Sequence, residues 1–157
     1  PAWLQGCSML PLVNGTQEQI HDQIFSEVSY HAAYEPMRSL RTPRYCYIRR
    51  FGSRRRPMLS NCDPSPTKDE WLRHGYSERN WPDEMLFDLF YDPQEMNNLA
   101  FDPRYEAVLE EMSDRLEEWM AATEDPLLTG DVPLPETGWQ NLRELGHPAQ
   151  FPRPPLG

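Results

Sequence analysis

The chain has 157 residues, with 25 acidic side chains against 15 basic ones and a formal net charge of -10. That length allows one domain with a real core, while 38% hydrophobic content and 17 prolines point to a compact body with irregular ends. No apolar run approaches the ~20 residues of a membrane span, no leader of the charged-then-apolar kind is visible, and three cysteines without C-x-x-C spacing argue against a disulfide framework or a zinc site.

The first residue is Pro, which reads as a fragment or a processed product. Residues 1–16 are short apolar pieces broken by Gly and Pro, and we take 1–20 as a connecting segment. Residues 22–31, "DQIFSEVSYH", carry β-branched and aromatic side chains and predict a strand. "MRSLRT" and "RYCYIRRF" follow, split by Thr42-Pro43, and predict a hairpin. Residues 52–83 are rich in Gly, Ser, Pro and charge. They read as a long loop with Trp71 and Trp81 as anchors and one short helix at 67–74. "EMLFDLFYDP" predicts a further strand, with Met85, Phe87, Leu89 and Tyr91 on one face and Asp92-Pro93 as its end.

The clearest element is a helix over 103–123. Asp102 is a suitable N-cap and Pro103 suits the first helical position. Tyr105, Val108, Leu109, Met112, Leu116, Trp119 and Met120 recur at three- and four-residue spacing, an apolar stripe fit to cover a sheet. Glu110, Glu111, Asp114, Glu117 and Glu118 form the solvated face. The predicted fold class is therefore α+β: a small antiparallel sheet of about four strands packed by a long C-terminal amphipathic helix, with Pro-rich extended ends. Residues 21–124 form the subdomain, and 125–157 a Pro-rich tail.

Positive charge is unevenly placed. Between Met37 and Asn61 stand eight arginines and no Asp or Glu. Composition alone permits an independent polyanion-binding module there. Against it stand the negative net charge and the lack of any groove-reading motif, so neither nucleic acid nor membrane is an expected partner. No G-x-S-x-G elbow, Gly-rich phosphate loop or paired metal-ligand spacing occurs in the sequence.

Three phrases in order carry a resemblance. "LQGCSMLPLVNGT", "YEPMRSLRTPRYCYIRRF" and "LFDLFYDPQEMNNLAFDP" resemble the C-terminal region of type I sulfatases, members of the alkaline-phosphatase-like superfamily. Cys46 stands where that family usually has Lys, and Phe87 where it has Tyr. "YHAAYEPMR" leans toward the heparan N-sulfatase branch, the N-sulfoglucosamine sulfohydrolases.

The resemblance implies the C-terminal subdomain of an enzyme that hydrolyses sulfate esters or sulfamates of sulfated sugars, with heparan-type N-sulfoglucosamine favoured. It implies a formylglycine nucleophile and calcium in the full-length enzyme, neither of them in this fragment. "NCDPSPTK" places Cys62, Pro64 and Ser65 like a maturation phrase, but Pro66 replaces the required Arg, and chance similarity is the better account. The fragment is therefore expected to be inactive alone, to partner the missing N-terminal catalytic domain, to meet a sulfated carbohydrate, and to self-associate where its apolar face is bare. The substrate-facing candidates are His31, Tyr34, Glu35 and Arg38: hydrogen bonding, ring stacking, hydroxyl orientation and bidentate anion pairing. No metal ligand is expected here. A related phosphodiesterase is the remaining alternative, since the superfamily scaffold hosts both chemistries. Compartment is not legible.

Overall fold

A computed structural model gives the fold and describes residues 6–142 together with Gly146. The readings of residues 1–5 and of most of 143–157 lie outside the described residues. The architecture is α+β. One helical turn, α1 (Leu10–Val13), precedes strands β1 (Ile24–Tyr30), β2 (Tyr34–Arg41) and β3 (Tyr45–Arg50). Helix α2 (Pro66–Arg73), strand β4 (Glu84–Asp88) and the long helix α3 (Glu106–Ala122) follow. The four strands form an antiparallel meander in the order β1-β2-β3-β4.

The hairpin turns where Thr42-Pro43 predicts. The Thr42 amide donates to the Tyr45 carbonyl at 2.8 Å, and its hydroxyl oxygen accepts from the Tyr45 amide at 2.9 Å. Alternation along β2 then sorts its side chains. Tyr34, Pro36, Arg38 and Leu40 are buried, while Glu35, Met37 and Ser39 are half-buried. Leu40, Tyr47 and Leu86, from β2, β3 and β4, meet Met112, Leu116 and Met120 of α3 in the main core. Phe25 of β1 stacks on Trp119 with ring centroids 4.8 Å apart and planes 4° from parallel. The other face of the sheet carries a smaller cluster of Cys46, Met85 and Phe87, against which Ile48, Trp81 and Leu89 pack.

The two longer helices each follow a capping side chain, that before α3 as the sequence predicts. The Asp102 carboxylate accepts from the Arg104 amide at 3.0 Å and caps a 3-10 turn, Pro103–Tyr105, that runs into α3. Ser65 caps α2 through the Lys68 amide at 3.1 Å. Strand β4 departs from expectation. It ends at Asp88, and Tyr91 is 74% exposed instead of sharing a face with Met85, Phe87 and Leu89. The reason is Asp88 itself. Its buried carboxylate pairs with Arg44 at 3.0 Å and accepts from the Phe90 amide at 3.2 Å, which turns the chain four residues early.

The loop after β4 closes on itself. Asp92 accepts from the amides of Met96 and Asn97 at 3.1 and 2.8 Å. Asn98 then docks against β4: its carbonyl oxygen accepts from the Leu86 amide at 2.9 Å and its NH2 donates to the Glu84 carbonyl at 3.1 Å. After α3 the chain comes back to the sheet. The amide of Val132 donates to the Tyr34 hydroxyl at 2.9 Å, and that of Asn141 to the Ala32 carbonyl at 2.7 Å.

Candidate functional site

The start of β2 is held from three sides. The Ala33 amide donates to the side-chain oxygen of Asn61 at 2.7 Å, and the Asn61 NH2 donates to Glu35 at 2.9 Å. Glu35 also pairs with Arg50 at 3.2 Å, and both side chains are largely buried. The loop that supplies Asn61 is fixed in turn by the sole lysine of the sequence, Lys68, whose buried ammonium donates to the carbonyls of Leu59 and Cys62 at 2.6 and 2.5 Å. Cys62 is exposed beside this clamp; Lys68 engages its carbonyl, while its thiol donates weakly to the Asp63 carbonyl at 3.9 Å.

Tyr34 leaves the opposite face of the strand. Its hydroxyl donates to Asp131 at 3.2 Å while accepting from Val132, and its ring lies 4.7 Å from that of Tyr30. Burial raises the Tyr34 hydroxyl above its ordinary value, and the Asp131 carboxylate adds to that rise. A small concavity of about 110 Å³ opens at this end of the sheet. Tyr34, Glu35, Arg50, Arg54 and Asp131 line it with Met58.

Two of the four expected residues, Tyr34 and Glu35, thus share a wall with arginines from the end of β3 and the loop beyond. His31 does not line the concavity; it is exposed on the turn between β1 and β2. Arg38 is placed quite differently from the expectation of an anion-pairing side chain. Its guanidinium is 2% exposed and grips Asp125 through a fork of 2.5 and 3.1 Å. The remaining N–H groups go to the carbonyls of Val28 and Met37 and to the Ser29 hydroxyl. Burial pushes the Asp125 carboxyl up, but Arg38 and the Leu127 amide outweigh it and hold the group below its ordinary value.

The basic island is largely neutralised. Seven of its eight arginines, all but Arg54, have a carboxylate within ion-pair distance among the described residues. Among those residues Arg54 donates to the carbonyls of Arg56 and Pro57. Composition could not reveal this, because the acidic partners come from Glu35, Glu78, Asp83, Asp88, Glu95, Glu117 and Asp125, spread along the sequence. Arg50, Asn61 and Asp131 escaped the sequence reading for the same reason.

A second concavity, of about 440 Å³, lies beside the first and is lined by Trp71, His74, Tyr76, Arg79 and Trp81. Arg50 connects the two: it lines the first, and its guanidinium lies 5.5 Å from the centroid of the Trp81 ring. Burial raises the Tyr76 hydroxyl above its ordinary value, and the charge of Glu35 adds to it.

Among the described residues no group of three or more His, Cys, Asp or Glu side chains gathers as a metal site. No helix among them is long and apolar enough to cross a membrane.

Comparison with known proteins follows the same lines. No protein-family model matches the chain. An ulvan-active sulfatase of Formosa agariphila is 29% identical over 140 residues, spanning 86% of this chain and 28% of that protein. The human N-sulphoglucosamine sulphohydrolase is 30% identical over 141 residues, spanning 78% and 27%. The solved structure of a 2-O GAG sulfatase superposes with a TM-score of 0.58 at 26% identity, covering 85% of this chain and 23% of that one. The chain thus resembles the C-terminal region of the sulfatases in both sequence and fold, and it spans about a quarter of the length of the curated relatives it matches.

Proposed function

We propose that this chain is the C-terminal subdomain of a sulfatase that hydrolyses sulfate esters or sulfamates of sulfated sugars, with N-sulfoglucosamine of heparan-type glycans the favoured substrate. The observation that carries the reading is the concavity of Tyr34, Glu35, Arg50 and Arg54. It sets one arginine without a carboxylate partner among the described residues beside an aromatic ring and a fixed carboxylate. That combination suits an anionic sugar: Arg54 faces the sulfate or a uronate, Tyr34 meets the ring, and Glu35 orients a hydroxyl. His31 reaches the glycan from the rim. Arg38 acts at one remove, by fixing β2 against the returning chain.

The formylglycine nucleophile and the calcium belong to the N-terminal catalytic domain of the full enzyme, which is this subdomain's principal partner. The fragment alone is inactive in this reading. The test is steady-state kinetics of the full-length enzyme on a sulfated glucosamine substrate. Arg54→Ala should raise KM on the order of 10- to 100-fold, the loss of one charge-assisted contact, and leave the folded fraction unchanged. Unaltered KM would remove Arg54 from the pocket, and absence of sulfate release from any sulfated sugar would remove the sulfatase reading.

A further inference from the structure

Ten of the twelve arginines in the described residues have a carboxylate within ion-pair distance. The two that do not are Arg54 and Arg79, and each lines a concavity. In a chain with 25 acidic side chains, an arginine that meets none of them within the described fold is selective. Arg79 is exposed at the mouth of the aromatic cleft, with His74 beside it. Trp71, 52% exposed, and Tyr76 stand at an open angle, with ring centroids 5.1 Å apart and planes 50° from parallel. Trp81 closes the cleft on the side of Arg50.

Arg50 lines the first concavity and Trp81 the second, and the Nε of Arg50 and the indole Nε1 of Trp81 are both buried without a hydrogen-bond partner in the described fold. Aromatic faces present apolar area to the C–H faces of a pyranose, and a guanidinium at the rim selects for an attached sulfate or carboxylate.

We propose that the Trp71–Tyr76–Trp81 cleft, with Arg79 and His74 at its rim, is a second saccharide subsite. It takes a sulfated or carboxylated pyranose of the same glycan whose neighbouring unit sits against Tyr34, Glu35 and Arg54. This rests on the sulfated-sugar reading above and extends it from one sugar unit to a run of them. A space of about 440 Å³ is of the size that ligand sites use. The proposal also accounts for the long 52–83 connection, since α2 and the turn after it deliver Trp71, Tyr76 and Arg79 to one cleft.

The experiment compares a heparan-type tetrasaccharide, its desulfated counterpart and a sulfated disaccharide on the full-length protein. It measures affinity by calorimetry and tryptophan fluorescence, and sulfate release by turnover. Trp71→Ala should weaken tetrasaccharide binding about tenfold and leave disaccharide turnover unchanged. Arg79→Gln should weaken the sulfated tetrasaccharide about tenfold and the desulfated one hardly at all. Equal tetrasaccharide affinity in wild type and both variants would overturn the proposal, as would a protein that binds no tetrasaccharide. A Trp71→Ala protein that melts earlier but binds glycan normally would assign the cleft to packing against the rest of the polypeptide, and would overturn it too. Arg54→Ala keeps the readings apart: it acts on the disaccharide, which the cleft variants spare.

Discussion

Arg38 and Asp125 face each other across 87 residues of chain, with both side chains about 2% exposed. Two ions at that depth cost several kcal/mol to desolvate, and the bidentate fork plus three further acceptors on Arg38 offset the cost. Removing one partner strands the other. Asp125→Ala should therefore lower stability by about 3–5 kcal/mol in urea unfolding. The pH dependence follows from the same pair. The folded-state pKa values of Asp125 and Asp88 lie below the ordinary carboxylate value, so their stabilisation is present above about pH 4 and is lost as pH falls through the lowered values. Acid unfolding should show this as a falling stability below pH 4, and Asp125→Asn should flatten the slope. A slope identical in wild type and Asp125→Asn would mean that other carboxylates carry it.

At the scale of elements, α3 and the loop after β4 share the work of covering the sheet. Met112, Leu116 and Met120 are buried at a spacing of four residues, the repeat that keeps one face of a helix on the core. Leu116 is fully buried, so Leu116→Ala should cost about 2–5 kcal/mol, measured by chemical denaturation. The "DPQEMNNLA" phrase has a physical account of its own. Asp92 closes the turn and Asn98 supplies the hydrogen bonds that a fifth strand would otherwise give to β4. Asn98→Ala leaves the Leu86 amide without its partner and should cost about 1–3 kcal/mol, with faster amide exchange at Leu86. An Asn98→Ala protein as stable as wild type would show that water replaces the side chain freely.

At the scale of the molecule, several large apolar side chains remain open among the described residues. Phe90, Tyr91, Met96 and Phe101 are each at least 74% exposed. Scattered apolar exposure is ordinary, but this loop presents four large side chains within twelve residues. Prepared alone, the 157-residue chain should associate with itself as concentration rises, read by sedimentation velocity, and should release no sulfate from a sulfated sugar. A strictly monomeric profile would count against a large bare face, and turnover by the isolated chain would overturn its expected inactivity.

The sequence by itself determined what local physics controls. The hairpin followed from Thr42-Pro43, α3 from its capped three-four repeat, and the sulfatase resemblance from three phrases in order. The tertiary structure alone decided which arginine faces outward. Arg38, Arg50, Arg54 and Arg79 carry the same side chain, and among the described residues they differ in the acid brought near each by the fold. Asp125 reaches Arg38 because the chain after α3 comes back to the sheet, and Glu35 reaches Arg50 because β2 and β3 pair in one register. The early end of β4 was hidden for the same reason: Asp88 turns the chain only because Arg44, on the neighbouring strand's approach, holds its buried charge. Periodicity reports which face a side chain takes, but charge neutralisation is a property of through-space neighbours, and those are set only when the chain has closed.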